Sequence, residues 1–163
     1  MKGDKQVLKF LNEALKKELG AINQYFLHSR ILEDWGITKL AKHEYNESIE
    51  EMKHADDLIK RILFLDGLPN LQDLPKLHIG ENVKEILECD LIIENEGVKN
   101  YKAAIAHAES VQDYISRDLF INILKDEEGH VEYLQTQLQM IENMGVQNYI
   151  QLNSESPLDA EAD

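Results

Sequence analysis

The 163-residue chain has a single cysteine, Cys89. That excludes a disulfide within the chain and a thiolate-bound zinc module, and it suits a reducing, cytoplasmic setting. Proline numbers three and glycine eight. Pro69 and Pro75 fall together between Gly67 and Gly80, and Pro157 lies near the end, so long stretches carry no helix breaker. Long hydrophobic runs are missing too. The apolar segments are as short as Ile62 to Leu65, so no segment is expected to span a bilayer. The start, Met1 to Lys5, is basic but not followed by an apolar stretch, so no signal peptide is expected. Positive charge is also in short supply. Lys+Arg is 17 against 31 Asp+Glu, a net charge of −14, and no Lys or Arg follows Lys125. A chain of this sign repels nucleic-acid phosphates and draws cations.

What is present is helical periodicity. Leu11, Leu15, Glu18, Ile22 and Tyr25 fall at steps of three and four, on a helix ending near Trp35 and Gly36. A second helix is expected from Thr38, as N-cap, to Leu65, with Leu40, Glu44, Glu47, Glu51, His54, Leu58 and Ile62 inward. A third starts near Asn82 and carries Leu87, Leu91, Glu94, Val98, Tyr101 and Ile105. A fourth starts after Gln112 and carries Phe120, Leu124, Glu127, Val131, Leu134, Leu138 and Ile141, closing at Gly145. Each would be about 40 Å long. No stretch alternates apolar and polar, so no sheet is expected. The fold class is all-α: a four-helix bundle in which the long connection, Asp66 to Glu81, crosses the length of the bundle. Val146 to Leu152 is expected as a short fifth helix. Residues 153–163 read as a disordered acidic tail, leaving 1–152 as the domain.

Each long helix carries a glutamate inside its apolar stripe, where an unpartnered glutamate is rarely buried. Two of them open a Glu-x-x-His, Glu51 to His54 and Glu127 to His130, a spacing that sets both side chains on one face. With 19 glutamates and six histidines, two such pairs alone are weak evidence. The registry is stronger. Glu18, Tyr25, Glu51 and His54 become Glu94, Tyr101, Glu127 and His130 on a shift of 76 positions. Two helical hairpins related by a pseudo-twofold would bring both sets to one midpoint.

Four buried carboxylates are intolerable in an apolar interior without compensation. No Lys or Arg is expected on the inward stripes, whereas two divalent cations would balance the charge. Oxygen and nitrogen donors without thiolate suit iron or manganese. A Glu from each of two helices with Glu-x-x-His from the other two is the known pattern of di-metal carboxylate bundles. On it, Glu18, Glu94, His54 and His130 are terminal ligands and Glu51 and Glu127 bridges. Tyr25 stands two turns beyond Glu18. It is a candidate to donate an electron or to hydrogen-bond a ligand, and a plain core aromatic fits as well; Tyr101 reads the same way. His28, His43, His78 and His107 fall outside the registry and read as surface or loop residues. Glu44 and Glu47 extend the acidic stripe, either as a cation route or as solvated groups.

With these residues in place the chain resembles the bacterioferritins. The resemblance covers nearly all of 1–152. It includes Glu-Leu-Gly-Ala-Ile-Asn-Gln-Tyr-Phe-Leu-His from Glu18, Glu-Met-Lys-His-Ala-Asp from Glu51, Gly-Leu-Pro-Asn-Leu-Gln-Asp from Gly67, Asp-Glu-Glu-Gly-His from Asp126 and Met-Gly-Val-Gln-Asn-Tyr from Met144. It implies a ferritin-like bundle in a cytoplasmic shell of twenty-four identical subunits built from dimers, storing ferric mineral for iron homeostasis and detoxification. It also implies two iron ions per subunit at a ferroxidase centre that uses dioxygen or hydrogen peroxide. Haem b would be shared between two subunits through a methionine of each, here Met52, and a small ferredoxin would supply electrons for iron release. Met52 is rotated about 100° from Glu51, towards an outer face; spacing alone would make it ordinary packing. Some members carry an inner-wall iron site built on a histidine and an aspartate. Asn46 and Glu50 stand at those positions here, and Asn46 is a weak iron ligand.

Ligand chemistry alone also admits a manganese catalase. A rubrerythrin-like peroxidase normally adds a four-cysteine iron module, which one cysteine cannot supply. A non-catalytic bundle with solvated glutamates is the remaining alternative.

Overall fold

In the computed structural model, which describes residues 1–156 and residue 158, five helices follow one another: α1 Lys5–Asp34, α2 Thr38–Phe64, α3 Val83–Ser110, α4 Tyr114–Met144 and α5 Val146–Leu152. The described residues contain no strand, and none of their helices is long and apolar enough to cross a membrane. Short links make α1–α2 and α3–α4 two hairpins, and the hairpins pack on each other chiefly through α1 and α3.

Local chemistry sets most of the helix ends. Asp4 accepts from the backbone N–H of Gln6 and Val7, Asn82 from Glu85 and Asp113 from Ser116. Each satisfies amides that a helix start leaves open. Asp113 also takes the Arg61 guanidinium at 2.8 Å, tying the end of α2 to the start of α4. Gly145, at φ +83°, turns α4 into α5. Thr38 does not cap α2. It is the helix's first residue, behind Ile37, and its Oγ1 accepts from the backbone N–H of Glu155. Lys42 pairs with the Glu155 carboxylate at 2.9 Å. Residues 153–156 thus lie against the start of α2. The rest of the expected disordered tail, Leu158 apart, falls outside the described residues.

The apolar interior is divided. One cluster holds Leu11, Leu15, Leu58, Ile62, Tyr101 and Phe120. The other holds Leu32, Leu40, Leu87, Leu134 and Ile141, with Tyr149 of α5 inserted among them. Between the two lies a fully buried polar layer that includes Glu18, Glu44, Glu51, Asp90, Glu94 and Glu127.

Residues 65–82 cross from α2 to α3 along one face of α1, held at every fourth residue. Asn12 exchanges hydrogen bonds with Leu68 and Asn70, Lys16 pairs with Asp73, and Gly20 makes room for the Pro75 ring. Gln24 accepts from the backbone N–H of His78, and His28 Nε2 from that of Gly80. Steps of four residues keep these anchors on one line about 24 Å long.

Asp90 is the hub beneath that line. Its Oδ1 receives the Gln24 amide and His28 Nδ1, each at 2.9 Å. His28 is therefore wholly buried and not a surface residue: it is the post that fastens the crossover. Asp90→Ala would strand the Gln24 and His28 donors, at a cost of about 3 kcal/mol. The expected result is a lower melting temperature together with new protease cleavage between residues 66 and 80. Unchanged cleavage would refute this role.

Candidate metal centre

The six side chains singled out by registry converge between the two apolar clusters. Ligand atoms of Glu18, Glu51, His54 and Glu127 lie within 4.8 Å of one another, as do those of Glu51, Glu94, Glu127 and His130. Glu51 and Glu127 belong to both groups. The four glutamates are completely buried. Glu18 Oε2, Glu51 Oε1, Glu94 Oε2, Glu127 Oε1 and His130 Nδ1 have no hydrogen-bond partner. Unsatisfied buried acceptors of this density are what a cation-binding site offers, so the donor set fits a pair of divalent ions.

The remaining atoms of these ligands are anchored, and each anchor crosses between hairpins. Tyr25 on α1 donates to Glu94 Oε1 of α3 at 2.7 Å, and Tyr101 on α3 donates to Glu18 Oε1 of α1 at 2.6 Å. His54 Nε2 on α2 meets Asp126 of α4 at 2.8 Å, and His130 Nε2 on α4 meets Glu47 of α2 at 2.8 Å. Both imidazoles thereby present Nδ1 to the centre, near Glu18 and Glu51 for His54 and near Glu51 and Glu94 for His130. A carboxylate behind the far nitrogen fixes ring orientation and strengthens the near one as a donor. Glu47 and Asp126 were not identified as supports from the sequence. Their only signal was an acidic residue ahead of each Glu-x-x-His, four positions before Glu51 and one before Glu127.

The expectation of no cationic side chain among the acids is corrected by Lys17. Its ammonium lies 2.5 Å from Glu127 Oε2, 3.7 Å from Glu94, 3.8 Å from Glu18 and 4.0 Å from Glu51, with the side chain only 12 % exposed. Lys17 sits on the flank of the α1 stripe, one position before Glu18. A four-carbon stem is long enough to carry the charge inward from there. The electrostatics follow from this crowding. Burial and the Glu51 charge push Glu18 up to about 7. Burial also raises Glu51 and Glu94, but the Lys17 ammonium and the polar groups crowded beside them, His130 among them, overcome it and hold both down at about 2. Burial lifts Glu127 well above the usual range despite Lys17. Burial pulls His54 and His130 down, but their acid partners outweigh it, raising His54 to about 11 and His130 likewise upward.

Glu44 reaches no solvent. It is completely buried beside Asp90, and burial together with that neighbour holds it well above the usual carboxylate range. Ligand atoms of His28, Glu44 and Asp90 lie within 4.8 Å. Yet His28 accepts from Gly80 at Nε2 and gives Nδ1 to Asp90, so no imidazole nitrogen is left for a metal. His43 is half-buried, stacked on Tyr133 at 3.8 Å. His107 stays at the surface on Asp4, and His78 is in the crossover. Asn46 is exposed and Glu50 half-buried, the latter close to His54 and Asp126.

Met52 is 54 % exposed. It opens on a mainly apolar groove of about 470 Å³, lined by Leu19, Ile22, Ile59, Leu71 and Leu74 among others. Exposed apolar area gathered in one place marks a surface meant to be covered.

Residues 8–144 match the ferritin-like domain. The bacterioferritin of Brucella melitensis biotype 1 is 51 % identical over 161 residues, spanning 99 % of this chain and 100 % of that protein. The chain belongs to the bacterioferritin family. The bacterioferritin of Rhodobacter capsulatus is 50 % identical, covering 98 % of this chain and 99 % of its own. That of Mycobacterium avium is 48 % identical, covering 91 % and 94 %. Membership of the bacterioferritins makes iron storage the function of this chain, with ferroxidase activity general to the family. The bacterioferritin assignment also sets aside the manganese catalase, the peroxidase and the inert bundle.

Proposed function

We propose that this chain is a ferroxidase whose substrate, Fe(II), is held by Glu18, Glu51, His54, Glu94, Glu127 and His130 acting together and oxidised there by dioxygen or hydrogen peroxide. What supports the reading is the pair of four-ligand groups that share Glu51 and Glu127. One group would seat a ferrous ion on Glu18 and His54, the other on Glu94 and His130, with Glu51 and Glu127 between them. Two ferrous ions give up two electrons. With two protons these reduce one dioxygen to hydrogen peroxide, or one hydrogen peroxide to two waters. The chain's own contribution is positioning. Tyr25 and Tyr101 hold one oxygen of each terminal glutamate, Glu47 and Asp126 aim the imidazoles, and the two apolar clusters exclude bulk water. Tyr25, within hydrogen-bond reach of Glu94, is also the candidate to supply an electron. A route for ferric ions to the interior would pass Glu50 and Asp126 beside His54, where Asn46 adds little affinity.

The rest of the reading concerns assembly. Residues 1–152 form the storage domain, with 153–163 as an acidic extension. Copies pair across the Met52 groove and build a cytoplasmic homo-oligomeric shell of twenty-four. Met52 of each copy would hold one haem b between the pair through its sulfur, and the apolar side chains around it suit a porphyrin face. The haem supplies one-electron transfer when bound. A small ferredoxin would be the reductant for iron release, with neither nucleic acid nor membrane as partner.

Crystals soaked aerobically with Fe(II) test the centre. Two anomalous-difference peaks at the iron edge are expected, both touching Glu51 and Glu127. Peaks elsewhere, or one peak held by other residues, would overturn the assignment.

A further inference from the structure

Lys17 is used by neither the di-metal pattern nor the pseudo-twofold. A shift of 76 positions places Ile93 opposite it, so one half of the site has a lysine where the other has an apolar residue. Its ammonium lies within 4.0 Å of all four central glutamates, the same acids that two ferrous ions would share. The stem reaches them across Gly97. A Cβ on that residue would stand 2.7 Å from Lys17 Cε and 3.0 Å from its Nζ. Glycine is costly in the middle of a helix, and here it opens the lane through which the lysine passes.

The surface beside it leaves room for a second position of the side chain. Lys17 lines a groove of about 380 Å³ between α1, the crossover and α3, which Glu13 and Glu96 line as well. Glu13 lies one turn before Lys17 on α1, the favourable order for an acid and a base four residues apart. Rotation of the lysine chain outward exchanges buried acids for these solvated ones. An ammonium and two divalent cations repel one another at the distances the central acids impose, so the two arrangements exclude each other.

We propose that Lys17 is an internal competitor for the metal centre: its ammonium neutralises the acid cluster until divalent ions displace it into the outer groove, and its return favours their departure. The proposal rests on the di-metal reading above. Competition of this kind weakens the centre's hold on its ions, because loading them must also expel a cation. Lys17 is thus an affinity-determining residue, although it ligates nothing.

Calorimetric titration with Co(II), a divalent ion that needs no oxidant, provides the test. The wild-type chain and Lys17→Met, which keeps the stem and removes the charge, are compared. Two Co(II) per chain are expected in both, with overall affinity at least tenfold tighter in the variant. On the wild-type protein, amine-reactive labelling read by peptide mass spectrometry gives a second readout, independent of how the variant folds. Lys17 is expected to be protected without Co(II) and labelled once Co(II) is bound. Equal affinities, or labelling of Lys17 unchanged by Co(II) while two ions bind, would overturn the lysine's role and leave the di-metal reading standing. Failure of both chains to bind Co(II) would sink the di-metal reading and the proposal with it.

Discussion

Glu18→Ala or Glu94→Ala is expected to slow rapid ferrous oxidation by more than about a hundredfold, followed as ferric absorbance after mixing anaerobic protein and Fe(II) with air-saturated buffer. Loss of a group that merely orients a ligand typically costs 10- to 100-fold, and loss of the ligand itself should exceed that. Each substitution removes one terminal carboxylate and leaves one of the two four-ligand groups a member short. It also strands a buried tyrosine hydroxyl, Tyr101 for Glu18 and Tyr25 for Glu94. The companion variants Tyr101→Phe and Tyr25→Phe separate these effects, because they keep the ligand and lose only its support. Their slowing should be smaller than that of the alanine variants. Collapse of the fold is not expected, since removing one of four crowded, buried acids relieves like-charge repulsion. Oxidation at the wild-type rate in either alanine variant would withdraw the ligand assignment.

The second large effect is expected at Met52. Met52→Leu fills nearly the same volume in the same groove and offers no sulfur. Purified from cells supplied with haem precursor, the variant should lack the visible haem bands expected of the wild-type protein. Met52→His keeps a ligand but changes its kind, so haem should be retained with a shifted spectrum. The groove's apolar lining alone would give a porphyrin some affinity, which makes the spectrum a sharper readout than the amount bound. An unaltered spectrum in either variant would disprove axial ligation by Met52.

How far the sequence carried the structure depends on the length of the interaction involved. Helices α1, α3, α4 and α5 end within a residue or two of where Trp35, Asn82, Gln112 and Gly145 placed them, because capping and turn residues act locally. Thr38 misled for the same reason. A hydroxyl beside a helix start is a capping signal, and its actual partner, Glu155, is 117 residues away. The six central side chains were legible because a repeat of 76 residues states a symmetry that the fold then obeys. Asp90, His28 and Gln24 break that symmetry and serve the crossover, whose course along α1 is set by backbone groups of residues 78 and 80 that carry no side-chain signature. Lys17 escaped because periodicity assigns a residue by the direction of its Cβ. A long flexible chain can end on a different side of the helix from the one it starts on.

The four supports that cross between hairpins bear on how the protein is made. While a ribosome has released only α1 and α2, Glu18, Glu51 and His54 have neither Tyr101 nor Asp126 to orient them, and half of the acids do not yet exist. On the proposed di-iron reading, no ordered pocket for ferrous ions can form until α4 has docked. Redox chemistry that could injure a nascent polypeptide would then be deferred to the finished molecule by its own architecture.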